Sequence, residues 1–115
     1  MKIVQKPWGT EEWIGSNEHY VFRILNIRKG ERVSLHYHER KIETLYIDKG
    51  SAIYTLIRPG EEKQERIIKA GDIIEPKPFE IHREEALEDL RIFEVSTPDM
   101  EDIIRVEDDY GRSSV

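Results

Sequence analysis

Apolar and β-branched residues recur along this chain in short runs of strand length, each closed by glycine or proline. Tyr20 to Arg28 is one run, ended by Lys29-Gly30. Arg32 to His38 follows, then Glu43 to Asp48, ended by Lys49-Gly50. Ser51 to Arg58 stops at Pro59-Gly60, and Gln64 to Lys69 leads into Ala70-Gly71-Asp72. Asp72 to Glu75 is short and meets Pro76, and Leu90 to Val95 is closed by Ser96-Thr97-Pro98. Runs of this length and composition predict strands, and many strands with no long helix predict a barrel or sandwich. The tail from Asp99 to Arg105 predicts a helical turn or two, with Thr97 or Asp99 as cap. No linker, low-complexity tract or tandem repeat interrupts the 115 residues, so residues 1–115 read as one domain.

The alternation inside Arg32 to His38 carries the first chemistry. Strand side chains repeat every two residues. Val33, Leu35 and Tyr37 therefore face one way, and Ser34, His36 and His38 the other. Two imidazoles on one face at i and i+2 can converge on one ion. Glu43 comes five residues later, and a hairpin through Glu39-Arg40-Lys41-Ile42 is expected to set it beside the pair. His82 lies eleven residues beyond Gly71, its approach stiffened by Pro76 and Pro78. Three imidazoles and a carboxylate suit one divalent transition metal, whether Zn, Mn, Ni, Co or Fe, better than Ca or Mg. His36, His38, Glu43 and His82 are the expected ligands. Only His19, of four histidines, falls outside this set.

Composition narrows the picture. Net charge is −6 with acids and bases interleaved, so no basic stripe offers a footprint for nucleic acid. No cysteine is present, which removes disulfides and thiolate zinc sites. No stretch approaches the roughly 20 apolar residues of a membrane span, and the first residues lack a signal-peptide core. A cytoplasmic location is expected. The 37% charged, Cys-free composition is also that expected of a thermophile.

Gly30, five residues, His36-Tyr37-His38, four residues, Glu43, six residues and Gly50 form a string that resembles the first motif of the cupins. The resemblance implies an all-β cupin double-stranded β-helix, or jelly-roll barrel. The second motif, from Gly71 to His82, is looser, with Lys77, Phe79 and Ala86 at three of its usual positions. Lys6-Pro7-Trp8-Gly9 at the start, His82-Arg83, and the ending Glu107-Asp108-Asp109-Tyr110-Gly111-Arg112 are similar to type II mannose-6-phosphate isomerase. This is a cupin domain also found fused to mannose-1-phosphate guanylyltransferase. His36 stands where that family commonly has Gln, Lys41 where it has Arg, and Leu45 where it has Trp.

That resemblance implies a metal-dependent aldose–ketose isomerase, most directly of mannose 6-phosphate and fructose 6-phosphate. Such a reaction moves a proton between adjacent carbons, and Glu43, Lys41 and Glu94 are the candidates to move it. The phosphate needs guanidinium donors. Arg105 and Arg112 in the tail come first by resemblance, with Arg83 and Lys41 behind. Trp8 and Trp13 read as packing aromatics, and Tyr110 as an anchor for the tail. Two rival readings remain open on the same residues: a cupin dioxygenase, and a non-enzymatic metal- and sugar-binding module. A homodimer is expected, with Met1–Val4 adding to a neighbour's sheet edge.

Overall fold

A computed structural model describes residues 1–112. The strands are β1 (Lys2–Lys6), β2 (Gly9–Ser16), β3 (Val21–Ile27), β4 (Leu35–Tyr37), β5 (Glu43–Lys49) and β6 (Ser51–Ile57), then β7 (Gln64–Lys69), β8 (Ile73–Ile74), β9 (Ile81–Ala86), β10 (Leu90–Ser96) and β11 (Ile104–Glu107). They form a six-stranded sheet in the order β1-β2-β3-β10-β5-β8 and a five-stranded sheet in the order β11-β4-β9-β6-β7. Every strand pair is antiparallel. The described residues contain no helix, and none that could cross a membrane.

The inward faces of the strands are split along their length. On β3, Leu25 and Ile27 face in at one end and Arg23 at the other. On β10, Leu90 and Ile92 give way to Glu94, and on β5, Ile47 and Leu45 give way to Glu43. Register aligns these halves: Ile92 sits opposite Leu25 and Ile47, while Glu94 sits opposite Arg23 and Leu45. The second sheet repeats the division. Ala52 pairs with Ala86 at the apolar end, and Tyr54 and Leu56 pair with Glu84 and His82. The result is a cup with an apolar floor and a charged upper wall. Burial of Leu25, Ile27, Leu45, Ile47, Ile68, Ile74, Leu90 and Ile92 against Trp8, Val33 and Tyr54 holds the sheets together.

Two expectations are corrected. The tail is not helical: Pro98 to Ile103 makes turns, and Ile104–Glu107 is a strand on the edge of β4. A helix of one or two turns is marginal alone, whereas an open sheet edge satisfies backbone groups at once. The step from His38 to Glu43 is not a hairpin either. β4 and β5 lie in different sheets, so the chain crosses the mouth of the cup. Met1–Val4, expected to add to a neighbour's sheet edge, overlaps Lys2–Lys6, which pairs with Gly9–Ser16 of its own chain and is itself an edge strand of the larger sheet.

Candidate metal centre and anion-lined cavity

β4 and β9 bring the histidines together. His36 and His82 are register partners, with ring centroids 4.6 Å apart. His38 follows two residues after His36 on the same face, as the alternation predicts, 5.0 Å from His36 and 5.6 Å from His82. One nitrogen of each ring lies within 4.8 Å of the others, a grouping able to hold a metal ion. Glu43 reaches in from the opposite sheet, its Oε2 3.3 Å from both His38 Nε2 and His82 Nε2. The four expected ligands therefore converge, though across the cup rather than along a hairpin.

Each ring is oriented from behind. His36 Nδ1 lies 2.9 Å from the Ser34 carbonyl, His38 Nδ1 2.5 Å from that of Asp102, and His82 Nδ1 2.9 Å from that of Glu80. A carbonyl only accepts, so each Nδ1 carries the hydrogen, and Nε2 is the nitrogen a neutral ring offers to an ion. His38 Nε2 is buried and lacks a well-formed hydrogen bond, although Glu43 stands near it. Burial and the neighbouring His82 and His38 push His36 well below the ordinary histidine range. Burial works to raise Glu43, but His38, His82 and Lys41 carry it well below the usual carboxylate range. Burial likewise works to lower His82, and Glu43 raises it instead. A neutral imidazole at His36 and an ionised carboxylate at Glu43 are donor states a divalent transition ion requires.

A ladder of buried charges runs from this centre across the larger sheet. Lys41 is 4% exposed, its Nζ 3.3 Å from Glu43 Oε1 and 3.3 Å from Glu94 Oε2. Arg23 Nη2 donates to Glu94 at 2.7 Å and Arg23 Nη1 to Glu11 at 2.8 Å. Glu43, Lys41 and Glu94, the expected proton-moving groups, are thus neighbours on one cavity wall.

The expected phosphate ligands separate. Arg105, opposite His36 in the β4–β11 pairing, and Arg112 both line the cavity. Burial and the charge of Arg112 push the Arg105 guanidinium below its usual range. Arg112 is steadied by two 2.9 Å hydrogen bonds to Asp108 and lies over the Tyr110 ring. Arg83 does not line the cavity. It alternates with His82, so it points to the outside of its sheet and donates to the Val33 carbonyl and to Glu107, each at 3.1 Å. Tyr110 is the anchor its position suggested, its hydroxyl donating to Glu31 and to the Arg32 carbonyl. Trp8 packs into the core, and Trp13 donates to Glu11 across its partly exposed edge.

Among the cavity-wall residues that escaped the sequence reading are three charged ones, Glu84, Glu11 and Arg23. Glu84 follows His82 by two and so shares its inward face; that spacing was the available signal. It is 4% exposed, and burial together with Glu43 and Glu94 raises it to about 7 against the opposing pull of His82.

No protein-family model and no curated protein sequence matches the chain. Solved structures do match it. The oxalate decarboxylase of Lactobacillus farciminis, in its formate complex, superposes with a TM-score of 0.77 at 20% identity, over 91% of this chain and 33% of that one. The capsular polysaccharide assembling protein CapF of Staphylococcus aureus gives 0.74 at 16% identity, over 92% and 34%. KdgF of Halomonas sp. gives 0.70 at 20% identity, over 87% and 93%. The fold is the cupin double-stranded β-helix. At these identities the likeness is one of architecture. The chain spans about a third of the length of the oxalate decarboxylase and of CapF, and most of KdgF.

Proposed function

We propose that this cupin is a metal-dependent sugar-phosphate aldose–ketose isomerase, with mannose 6-phosphate and fructose 6-phosphate as its first candidate substrates. The observation that carries the reading is that Arg105 and Arg112 line the same cavity as the three imidazoles. A phosphate held by the tail arginines leaves the sugar carbons facing His36, His38, Glu43 and His82. A divalent ion bound by those four would supply a Lewis acid for the negative charge that develops as the carbonyl migrates.

The chain's own residues supply the rest. Two guanidiniums bind the phosphate dianion and fix which end of the sugar enters. Glu43 is engaged by both imidazoles, so the proton transfer between adjacent carbons falls to Lys41 and Glu94. The Glu94 carboxylate takes the proton from one carbon and returns it to the neighbouring carbon, while the Lys41 ammonium, 3.3 Å from Glu94, gives a hydrogen bond to the oxygen on which negative charge develops between the two transfers. Arg23 holds Glu94 in place from behind. Trp8, Leu25, Val33 and Leu45 line the cavity as well and exclude water from the transfer. The edge position of β1 supports pairing with a second copy as a homodimer.

The test is turnover of mannose 6-phosphate to fructose 6-phosphate by the chain reconstituted in turn with Zn, Mn, Ni, Co and Fe. Turnover with at least one metal is expected, with KM raised roughly 10-fold or more in Arg112→Ala. No turnover with any metal, while the metal is bound, would favour the sugar-binding module.

A further inference from the structure

Four carboxylates line the cavity, and three are accounted for. Glu43 is held by His38, His82 and Lys41, Glu94 by Arg23 and Lys41, and Glu11 by Arg23 and Trp13. The fourth, Glu84, is as deeply buried, yet its Oε2 has no hydrogen-bond partner among the described residues. Its strand neighbours do not supply one: it sits opposite Tyr54 in the β6–β9 register, between His82 and Ala86 on the inward face of β9. An acceptor oxygen kept buried and unpaired weakens the fold. Its place on the wall of the His82 cavity means that a partner can enter from the ligand.

We propose that Glu84 is a specificity-determining residue, which accepts a hydrogen bond from a hydroxyl of a polyhydroxy ligand. The assignment rests on the sugar-phosphate reading and deepens it by naming the group that reads the sugar. A carboxylate oxygen calls for a donor. Lys6, Arg23, Lys41, Arg105 and Arg112 already stand on this wall against its four carboxylates, so the cavity does not call for a further cation. A neutral hydroxyl is the class that fits. Glu84 thus reads the polyol while the tail arginines hold the phosphate.

The role carries an opposed pair of consequences that a structural carboxylate would not share. Replacing Glu84 with leucine, close in size and apolar, removes the unpaired acceptor. It is expected to raise the denaturation midpoint while it weakens ligand binding. The experiment is calorimetric titration of the metal-reconstituted chain with mannitol 6-phosphate, which has no carbonyl to react. Inorganic phosphate is the second probe, and bound metal is measured in every sample. Glu84→Leu is expected to lose roughly 10- to 100-fold in affinity for mannitol 6-phosphate, with phosphate affinity and metal content unchanged. Glu84→Gln, which keeps an acceptor oxygen and secures the result if the leucine variant folds poorly, is expected to fall between. Unchanged mannitol 6-phosphate affinity in both variants overturns the assignment of Glu84 and leaves the isomerase reading standing. Equal losses for mannitol 6-phosphate and phosphate overturn it too, since Glu84 would then not distinguish the sugar. A wild-type chain that binds neither probe overturns both readings.

Discussion

The Asp102 carboxylate accepts hydrogen bonds from three consecutive backbone N–H groups, those of Glu39, Arg40 and Lys41, at 3.1, 2.6 and 2.9 Å. Its own carbonyl accepts from His38 Nδ1. One residue of the tail thus sets a candidate ligand and the loop that presents Lys41. Burial opposes the charge, but the three donors bring the carboxyl down from 3.8 to about 2. A depressed folded-state value means the contribution is complete above 3.8 and disappears as pH falls through about 2. Asp102→Asn is therefore expected to be less stable than wild type by about 1–2 kcal/mol at neutral pH. Denaturant titrations repeated between neutrality and pH 2 should show that gap closing, and a gap independent of pH would assign the loss to packing instead. Sequence pattern did not reveal this residue's role, because its partners lie about sixty positions away and are backbone groups.

At the scale of elements, legibility followed apolar alternation. The runs at Val21–Ile27, Glu43–Lys49, Ser51–Ile57, Gln64–Lys69 and Leu90–Ser96 announce themselves because their floor-facing positions are Leu, Ile, Val and Ala. Gly9–Ser16 and Ile81–Ala86 do not, because Glu11, His82 and Glu84 occupy inward positions that a core strand would give to apolar side chains. The residues that build the cavity are the ones that erase the strand signal. Face and partner are separate questions: period two placed Ser34, His36 and His38 together, but not Glu43 in the opposite sheet. Glycine punctuation was legible too, and its demands differ from site to site. Gly30 and Gly50 both have positive φ, 85° and 90°. A Cβ on Gly30 would meet nothing within 4 Å, while one on Gly50 would lie 2.3 Å from the Asp89 carbonyl oxygen. Gly30→Ala is expected to destabilise by about 1–2 kcal/mol, the cost of a left-handed residue alone. Gly50→Ala should exceed it by at least about 2 kcal/mol, because backbone must move. Equal midpoints for the two in thermal unfolding would refute the clash.

Across the whole molecule, both sheets meet through charge at one end of the cup and through hydrocarbon at the other. The larger sheet contributes Glu11, Arg23, Glu94 and Glu43, the smaller His36 and His82, and the crossing loop Lys41. Arg23 is central to this ladder, since its guanidinium spans Glu11 and Glu94 from β3. Its removal leaves two carboxylates on a wall that also holds Glu84, with Lys41 already shared by Glu43. Desolvated ion pairs add little net stability when whole but are costly to break. Arg23→Met is accordingly expected to lose roughly 3–5 kcal/mol in denaturant unfolding. The triple variant Arg23→Met, Glu11→Gln, Glu94→Gln should recover most of that loss, because no buried charge then lacks a partner. Failure of the triple variant to recover would show that the guanidinium acts through packing, for instance on the Trp13 ring that it approaches at 5.4 Å. Recovery of stability without recovery of turnover is the outcome expected of a functional wall, because the triple variant lacks the Glu94 carboxylate proposed to carry the proton between the sugar carbons.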